Sequence, residues 1–378
     1  MAVTTQKKGS FRRSVISSFI IISVLSLGMT GVISLGFVNL IGDNTTSMSS
    51  TALEEQIERN VELTAEKNAL VINQKISNAE ALVNAIAVEC EFLLDSDSTF
   101  NAREAYYDYF FGYPSSGPHP DDIALDDEYG INVSWNYSSW YIPGSNSLNY
   151  DTHNASMSDR LGKISNLDYM FKYSHNQMPD FRWLYVAFAD NLFINYPGSI
   201  VGDSDAVRND VNQRWEPTQD DWYQSILAGG GNIVYVDPYY DPVDNVLLMS
   251  VGKAVYFDNG TLIGVVAGDI TVEEIKTKIL DVQVLETGYA VLITESGGIV
   301  AHPEVADSDY TWYDPNLPPL IDFEVNTNPV TAALTSAQMI QITSGTTGII
   351  EYQRDGVDLI LAHTEVGIAG YICIISTC

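Results

Sequence analysis

Residues Trp215–Ser225 read WEPTQDDWYQS, a stretch that combines a proline, two adjacent acids and three large aromatic side chains. Acids before an apolar run are typical of a helix start, where a side-chain oxygen accepts a backbone hydrogen bond. Acids beside aromatic rings also suit an organic cation. Both interpretations stay open, with helix capping favoured for Asp221 and a place in a ligand pocket favoured for Asp220.

The sequence around this stretch predicts two sets of antiparallel strands. Short aromatic and β-branched runs, bounded by Gly, Pro, Asn and Asp, are typical of sheets. Hairpin turns are expected at Asp190-Asn191 and at Asp258-Asn259-Gly260. The segment TVEEIKTKILD, residues 271–281, predicts a short helix between the two sets. The second set comprises TGYAVLITESGGIVAHP, GTTGIIEYQRDGVDLILAHTEV and GYICIIST, so the chain is expected to be α+β with two consecutive modules.

The N-terminal region carries a run of 27 uncharged residues, Val15 to Ile41. Because about 20 apolar residues suffice to cross a bilayer as a helix, residues 14–41 predict a transmembrane helix in contact with lipid. A cleaved signal peptide is the competing interpretation, although its apolar region is usually about 7 to 15 residues long. Lysines and arginines precede the run and acids follow it, so residues 1–13 are expected in the cytoplasm and the bulk outside the cell.

A long extracellular helix is expected over residues 42–98. The part from Ser47 to Leu94 contains neither Pro nor Gly, and apolar residues recur there every three or four positions. The early turns are too polar to be buried on all sides. Two arrangements stay open: a homodimer through this helix, or a helix that packs only on its own chain.

Composition excludes several functions. Four of the 18 basic residues precede residue 14, which leaves 14 basic against 49 acidic side chains, so we expect no nucleic-acid partner. The cysteines, Cys90, Cys373 and Cys378, are too few for a disulfide framework. His302 lacks an accompanying nucleophile or metal-ligand motif, so it is interpreted as a turn residue. We expect no enzymatic activity, catalytic residue, cofactor or metal site.

Five segments, taken in their order along the chain, resemble the double Cache (dCache) sensor family. They are PTQDDWYQS, DPYYDP, GVVAGDI, GYAVLITESGGIVAHP and TGIIEYQRDG. The resemblance covers about residues 45 to 375. It implies two PAS-like modules on one long helix: a membrane-distal module over residues 99–280, called the first module below, and a membrane-proximal second module over residues 281–378. It also implies an extracellular sensing region of a chemoreceptor or sensor kinase, with a small molecule bound in the first module.

The resemblance further implies which residues line the pocket. The amino-acid-binding branch of the family has an aromatic residue, an Arg, a Trp-Tyr pair, a later Tyr and a final Asp. The chain is similar at all but one of these positions, since Asp220 stands where the branch has the Arg that binds the ligand's carboxylate. It therefore resembles the amine-binding variant of that branch. The implied ligand-binding residues are Trp215, Asp220, Trp222, Tyr223, Tyr239 and Asp269.

Several alternatives stay open. Arg214 could enter the vacant Arg position through a one-residue bulge and restore amino-acid binding. Asp220, Asp221, Asp237, Asp241 and Asp244 could form a calcium site, although their spacing matches no 12-residue calcium loop. The chain could also be an anchored surface or solute-binding protein without signalling output. A receptor is expected to continue beyond Cys378 with a second span and a cytoplasmic module.

Overall fold

The structure is a computed structural model that describes residues 8–107, 120–142, 150–199, 215–241, 246–279, 288–295, 299–301, 334–354, 356–367 and 370–377. The chain divides into two compact units, Met1–Asn60 and Val61–Cys378. Both large sheets belong to the second unit. Several sequence interpretations, among them those for Arg214, Asp244 and His302, lie outside the described residues.

One long helix, α1, spans Lys8–Asp95. Within the second unit it buries an apolar stripe at intervals of three and four residues, as a helix that packs on a sheet requires. Over the residues that the structure describes, none of the helices is long and apolar enough to span a bilayer. The transmembrane helix therefore stays a prediction. The stripe consists of Val61, Ala65, Ala69, Ile72, Ile76, Ala79, Val83, Ile86, Cys90 and Leu93.

The first module is built on a seven-stranded sheet with the strand order β1-β4-β6-β5-β10-β9-β8. Its pairings are antiparallel apart from the parallel pair of β1 and β4. The strands are β1 Tyr106–Tyr107, β4 Ser139–Tyr141, β5 Phe181–Phe188, β6 Phe193–Tyr196, β8 Ile233–Asp241, β9 Val246–Tyr256 and β10 Leu262–Thr271.

Smaller elements complete this module. A three-stranded sheet has the order β2-β3-β7. Its strands are β2 Ala124–Leu125, β3 Asn132–Ser134 and β7 Gly198–Ser199. The helices are α2 Tyr150–Ile164, α3 Leu167–Gln177, α4 Asp221–Ala228 and α5 Val272–Ile279, the last of which agrees with the helix predicted over residues 271–281.

Both predicted hairpin turns of the first module are confirmed. Asn191 adopts φ 67°, and the amide of Phe188 donates to the carbonyl of Leu192 across the turn. Gly260 adopts φ 80°, and the amide of Phe257 donates to the carbonyl of Thr261. Asn and Gly tolerate positive φ better than other residues do, which is why these turns could be read from sequence.

The second module is built on a five-stranded antiparallel sheet with the order β12-β11-β15-β14-β13. Helix α6, Ser336–Ile342, begins with a capping box in which Thr335 and Gln338 satisfy each other's backbone amides. The strands are β11 Tyr289–Thr294, β12 Ile299–Ala301, β13 Gly348–Arg354, β14 Val357–Val366 and β15 Tyr371–Thr377. The α+β prediction with antiparallel sheets is confirmed.

Candidate ligand-binding site

Hydrogen bonds to neighbouring elements hold the stretch that precedes α4. A 3-10 turn spans Pro217–Gln219, and both the amide and the hydroxyl of Thr218 donate to Asn191 Oδ1, at 3.1 and 2.7 Å. The Tyr141 hydroxyl donates to the carbonyl oxygen of Trp215 at 2.7 Å. The start of α4 is thereby fixed against the β5–β6 turn and against β4.

Asp220 binds two indole groups. Its Oδ2 atom accepts hydrogen bonds from Nε1 of Trp215 at 2.7 Å and from Nε1 of Trp222 at 2.9 Å. Burial raises the pKa of the Asp220 carboxyl, while the two indole N–H groups oppose that rise by stabilising the anion. The carboxylate thus holds both tryptophans in fixed orientations.

The capping interpretation of Asp221 is wrong. Asp220 occupies the N-cap position of α4, and its side chain makes no capping hydrogen bond because the indoles engage it instead. Asp221 is the first residue of the helix and is exposed. Its negative charge near the N-terminus interacts favourably with the helix dipole and stabilises α4, although by less than a capping hydrogen bond would.

Asp269 lies at the centre of a hydroxyl network on β10. Its Oδ1 atom accepts from the Tyr185 hydroxyl at 2.9 Å and from Ser250 Oγ at 2.6 Å. Ser250 Oγ also lies 2.8 Å from the Tyr239 hydroxyl. Because Ser250 uses its only proton on Asp269, Tyr239 must donate to Ser250. Burial raises the pKa of Tyr185 and of Tyr239 well above their usual range, so both remain protonated donors.

Strand register explains why these side chains meet. Asp269 pairs directly with Ser250 on β9, whereas Tyr185 pairs with Ala267, two residues before Asp269. Side chains two positions apart share a face, so Tyr185 reaches Asp269 diagonally. Tyr239 pairs with Leu248, two residues from Ser250, and reaches Ser250 in the same way.

A β-bulge in β8 decides which tyrosine faces the site. Val236 pairs with Ser250 and Tyr239 with Leu248, so Asp237 and Pro238 together oppose one residue of β9. Pro238 has no N–H to donate to the ladder, which suits it to such a position. The extra residue places Tyr239 on the same face as Val236. Both side chains pack against the apolar core of the first module.

Aromatic rings surround both acids. Trp215 stacks on Tyr141 with centroids 5.9 Å apart and meets the edge of Phe193 at 4.8 Å. The ring of Trp222 meets that of Tyr185 edge to face at 5.2 Å. Trp222 donates to Asp220 and Tyr185 donates to Asp269, so this ring pair connects the two carboxylates. The arrangement offers negative charge and ring faces, the two features that attract an ammonium group.

Tyr223 differs from the other predicted residues. Its side chain is only 2% exposed and belongs to the core cluster, where its ring meets Trp222 at 5.8 Å. Among the residues that the structure describes, the Tyr223 hydroxyl has no hydrogen-bond partner. The structure therefore joins Trp215 and Trp222 to Asp220 by direct hydrogen bonds and Tyr239 to Asp269 through Ser250, whereas Tyr223 only packs beside them.

Sequence reasoning missed Tyr185 and Ser250. Both lie inside strands in which every residue, or nearly every residue, is buried, and nothing in the local sequence separates them from core residues. Alternation along β10 and β9 could have placed Ser250 on the face of Asp269 once the register was known. Over the described residues, no group of His, Cys, Asp or Glu side chains could hold a metal ion.

Comparison with known proteins identifies the family. A family model of the double Cache type, described as a Cache domain, matches residues 49–377. The chain belongs to the double Cache family. Cache domains of chemoreceptors are ligand sensors and not enzymes, in agreement with the prediction that this chain is not an enzyme.

The curated relatives of this Cache chain are chemotaxis receptors. The methyl-accepting chemotaxis protein McpB of Bacillus subtilis is 31% identical over 97 residues, which is 26% of this chain and 14% of McpB. PscA of Pseudomonas syringae, also a methyl-accepting chemotaxis protein, is 28% identical over 118 residues, 31% of this chain and 18% of PscA. The matches thus cover less than a fifth of either relative.

Ligand-binding domains of chemoreceptors are among the solved structures to which this chain is similar. The ligand-binding domain of Campylobacter jejuni Tlp3 in complex with 4-methylisoleucine aligns with a TM-score of 0.47 at 14% identity, covering 88% of this chain and 94% of that chain. The ligand-binding domain of Pseudomonas aeruginosa PctB in complex with L-Arg aligns with a TM-score of 0.37 at 19% identity, covering 52% and 71%.

Proposed function

We propose that the chain is the extracellular sensing region of a transmembrane chemoreceptor and that its first module binds a small amine. The family and the chemotaxis relatives support the sensing role. The observation that carries the amine preference is the double indole hydrogen bond to Asp220, which holds a carboxylate between two aromatic side chains. By the family resemblance, this is the position at which the amino-acid-binding branch has an Arg.

The surroundings of Asp220 support this preference. The ion pairs among the described residues, Lys75–Asp180, Arg103–Asp168 and Arg160–Asp190, do not involve it. A ligand carboxylate brought beside Asp220 would meet like charge in a partly desolvated site, whereas an ammonium would gain an ion pair. Even ~3 kcal/mol of difference corresponds to more than a hundredfold preference for the amine.

Asp269 supplies the second recognition element of the proposal. The hydroxyls of Tyr185 and Ser250 donate directly to its Oδ1 atom, and the hydroxyl of Tyr239 donates to Ser250. A carboxylate oriented in this way is prepared to bind an ammonium without rearrangement, which lowers the entropic cost of binding. The six ligand-binding residues of the proposal are Trp215, Asp220, Trp222, Tyr223, Tyr239 and Asp269.

An amino-acid sensor is the second candidate, and one observation favours it. Trp215 and Trp222 direct two N–H donors at a single point, which is an arrangement that binds carboxylates. If the Asp220 side chain rotated away, the carboxylate of an amino acid could take its place. The two candidates therefore differ in whether Asp220 stays between the indoles when ligand binds.

Matched ligand pairs distinguish these candidates. Thermal shift and calorimetry on the full chain in mild detergent should compare putrescine with ornithine, agmatine with arginine and phenethylamine with phenylalanine, since each pair differs by one carboxylate. We expect the amine of at least one pair to bind more than a hundredfold tighter. Tight binding of the amino acid in each pair would refute the amine proposal.

Two substitutions assign the preference to Asp220. Asp220→Asn keeps an oxygen for the indoles and removes the charge, so the amine should bind more weakly and its amino acid more tightly. Asp221→Ala removes a neighbouring charge that is exposed and touches neither indole, and it should leave both affinities unchanged. An equal effect of the two substitutions would show that only the general negative field matters.

The proposal includes the membrane and a second copy of the chain. Residues 14–41 are proposed to anchor the chain, with residues 1–13 in the cytoplasm, residues 42–98 as the stalk helix, and the modules at 99–280 and 281–378 outside.

Leu63 and Leu70 on α1 are 55% and 71% exposed and seven residues apart, a spacing that suits a homodimer. Light scattering of the full chain should show a dimer that Leu63→Glu and Leu70→Glu dissociate, and a monomeric parent chain would contradict it.

A further inference from the structure

A tyrosine of the second module contacts the first module directly behind the ligand site. Tyr371 is the first residue of β15 and is only 2% exposed. Its hydroxyl lies 3.5 Å from Asp237 Oδ1 and 3.2 Å from the sulfur of Met249. Both partners belong to the first module, Asp237 to β8 and Met249 to β9. This hydroxyl therefore joins the two modules at the edge of the seven-stranded sheet.

Both partners of Tyr371 are sequence neighbours of site residues. Asp237 is the first residue of the β8 bulge, which turns Tyr239 toward Ser250. Met249 precedes Ser250 on β9, so the two side chains point to opposite faces of the sheet. The site network and the Tyr371 contact are thus back to back, separated only by the backbone of β8 and β9.

The junction on the rear face is not completely filled. A cavity of about 20 Å³ is lined by residues of α1 and of both modules, among them Ile72, Met249 and Leu292. A volume of this size is close to that of one water molecule and leaves room for small side-chain shifts. Met249 borders this free space, so its contact with the Tyr371 hydroxyl is one of the interactions that fix its position.

We propose that Tyr371 is a positioning residue for the ligand site of the first module. Its hydroxyl shares one proton between two acceptors, Asp237 Oδ1 and the Met249 sulfur, and thereby keeps the β8 bulge in the register that directs Tyr239 to Ser250 and, through it, to Asp269. The effect on ligand affinity rests on the proposed function, whereas the positioning of the β8 bulge concerns the unliganded protein alone. Because coupling between two sites is reciprocal, ligand that binds at Tyr239 and Asp269 must in turn change the stability of the Tyr371 contact.

A measurement without ligand tests whether Tyr371 positions the β8 bulge. Tyr371→Phe removes only the hydroxyl and should accelerate amide hydrogen exchange in residues 233–241 of the full chain by roughly two- to tenfold, the range that one hydrogen bond supports. Tyr352→Phe is the matched control, because its hydroxyl hydrogen-bonds to Ser376 inside the second module at 2.6 Å. The control should leave exchange over residues 233–241 unchanged.

The second arm measures ligand affinity with putrescine and agmatine as probes. Tyr371→Phe should weaken binding by about two- to tenfold, while Tyr352→Phe should leave it unchanged. Binding also should slow exchange over residues 371–377 in the parent chain and not in Tyr371→Phe. If Tyr371→Phe destabilises the whole chain, Asp237→Asn, which weakens the acceptor on the other side, carries the same expectations.

The outcomes separate this inference from the proposed function. Unchanged exchange over residues 233–241 in Tyr371→Phe overturns the positioning role, whatever the ligand is. An equal change in Tyr352→Phe also overturns it, because the effect would then be a general loss of stability in the second module. If the exchange result holds and neither probe binds the parent chain, the amine proposal fails and the positioning role stands.

Discussion

Asp168→Asn is expected to make the stability of the first module less dependent on pH. Asp168 on α3 is fully buried, its Oδ1 atom accepts from the amide of Ser138 at 3.1 Å, and Arg103 Nε lies 3.7 Å from its Oδ2 atom. Burial raises the pKa of this carboxyl from 3.8 to about 6, against the opposing effects of Ser138 and Arg103. At neutral pH the folded chain therefore holds a desolvated, only partly compensated anion.

The magnitude and sign follow from that shift. The folded state binds the proton more tightly than the unfolded state does, so stability falls as pH rises between about 4 and 6. A shift of this size corresponds to about 3 kcal/mol at pH 7. Asn cannot ionise and can still accept from the Ser138 amide. The free energy of unfolding of Asp168→Asn minus that of the parent should therefore grow by about 2 kcal/mol from pH 4 to pH 7, and the remainder of the effect lies below pH 4.

Urea denaturation of both chains, followed by circular dichroism at several pH values, measures this difference. Other titrating groups cancel in the subtraction, and any constant cost of the substitution, such as the lost pairing with Arg103, only offsets the curve. Asp127→Asn, at an exposed position of the same module, controls for the removal of one negative charge. A difference for Asp168→Asn that stays constant between pH 4 and 7 would refute the reasoning.

Three further predictions concern packing, the anchor and the location of the site. Gly252→Ala should lower the free energy of unfolding by about 1–3 kcal/mol, because a Cβ there would lie 2.3 Å from the buried Ile226 side chain of α4. Gly367→Ala is the control and should leave thermal unfolding nearly unchanged, because a Cβ there would meet nothing within 4 Å. Protease added to intact cells should remove the bulk of the chain and leave residues 15–41 in the membrane, whereas free protein in the medium with an N-terminus after residue 30 would indicate a signal peptide. Asp220→Ala combined with Asp269→Ala should abolish the calorimetric heat of amine binding to the full chain, since the second module is expected to bind nothing tightly, and residual tight binding would place a site there.

Local patterns determined the secondary structure that the sequence could predict. The absence of Pro and Gly from Ser47 to Leu94, with apolar residues every three or four positions, indicated the helical part of α1 that carries the buried stripe. The turns at Asn191 and Gly260 were predictable because their backbone conformations favour those residue types. Each of these features depends on residues close together in the chain, so tertiary structure was not needed to infer them.

The interactions within the site were decided by tertiary structure. The sequence placed two acids at 220 and 221 next to aromatic residues, but only the fold brings Trp215 and Trp222 to a single oxygen of Asp220 and so prevents it from capping α4. Local spacing cannot distinguish a capping acid from one that accepts side-chain hydrogen bonds, because both precede the helix by the same number of residues.

Strand register decided the remainder of the site. Tyr185 and Ser250 reach Asp269 from separate strands, and the β8 bulge at Pro238 places Tyr239 on the face of the site. A shift of one residue in either pairing would turn these side chains to the opposite face. Register depends on pairing between segments far apart in the chain, so the sequence alone could name Asp269 and Tyr239 by resemblance but could not reveal the hydroxyl network that joins them.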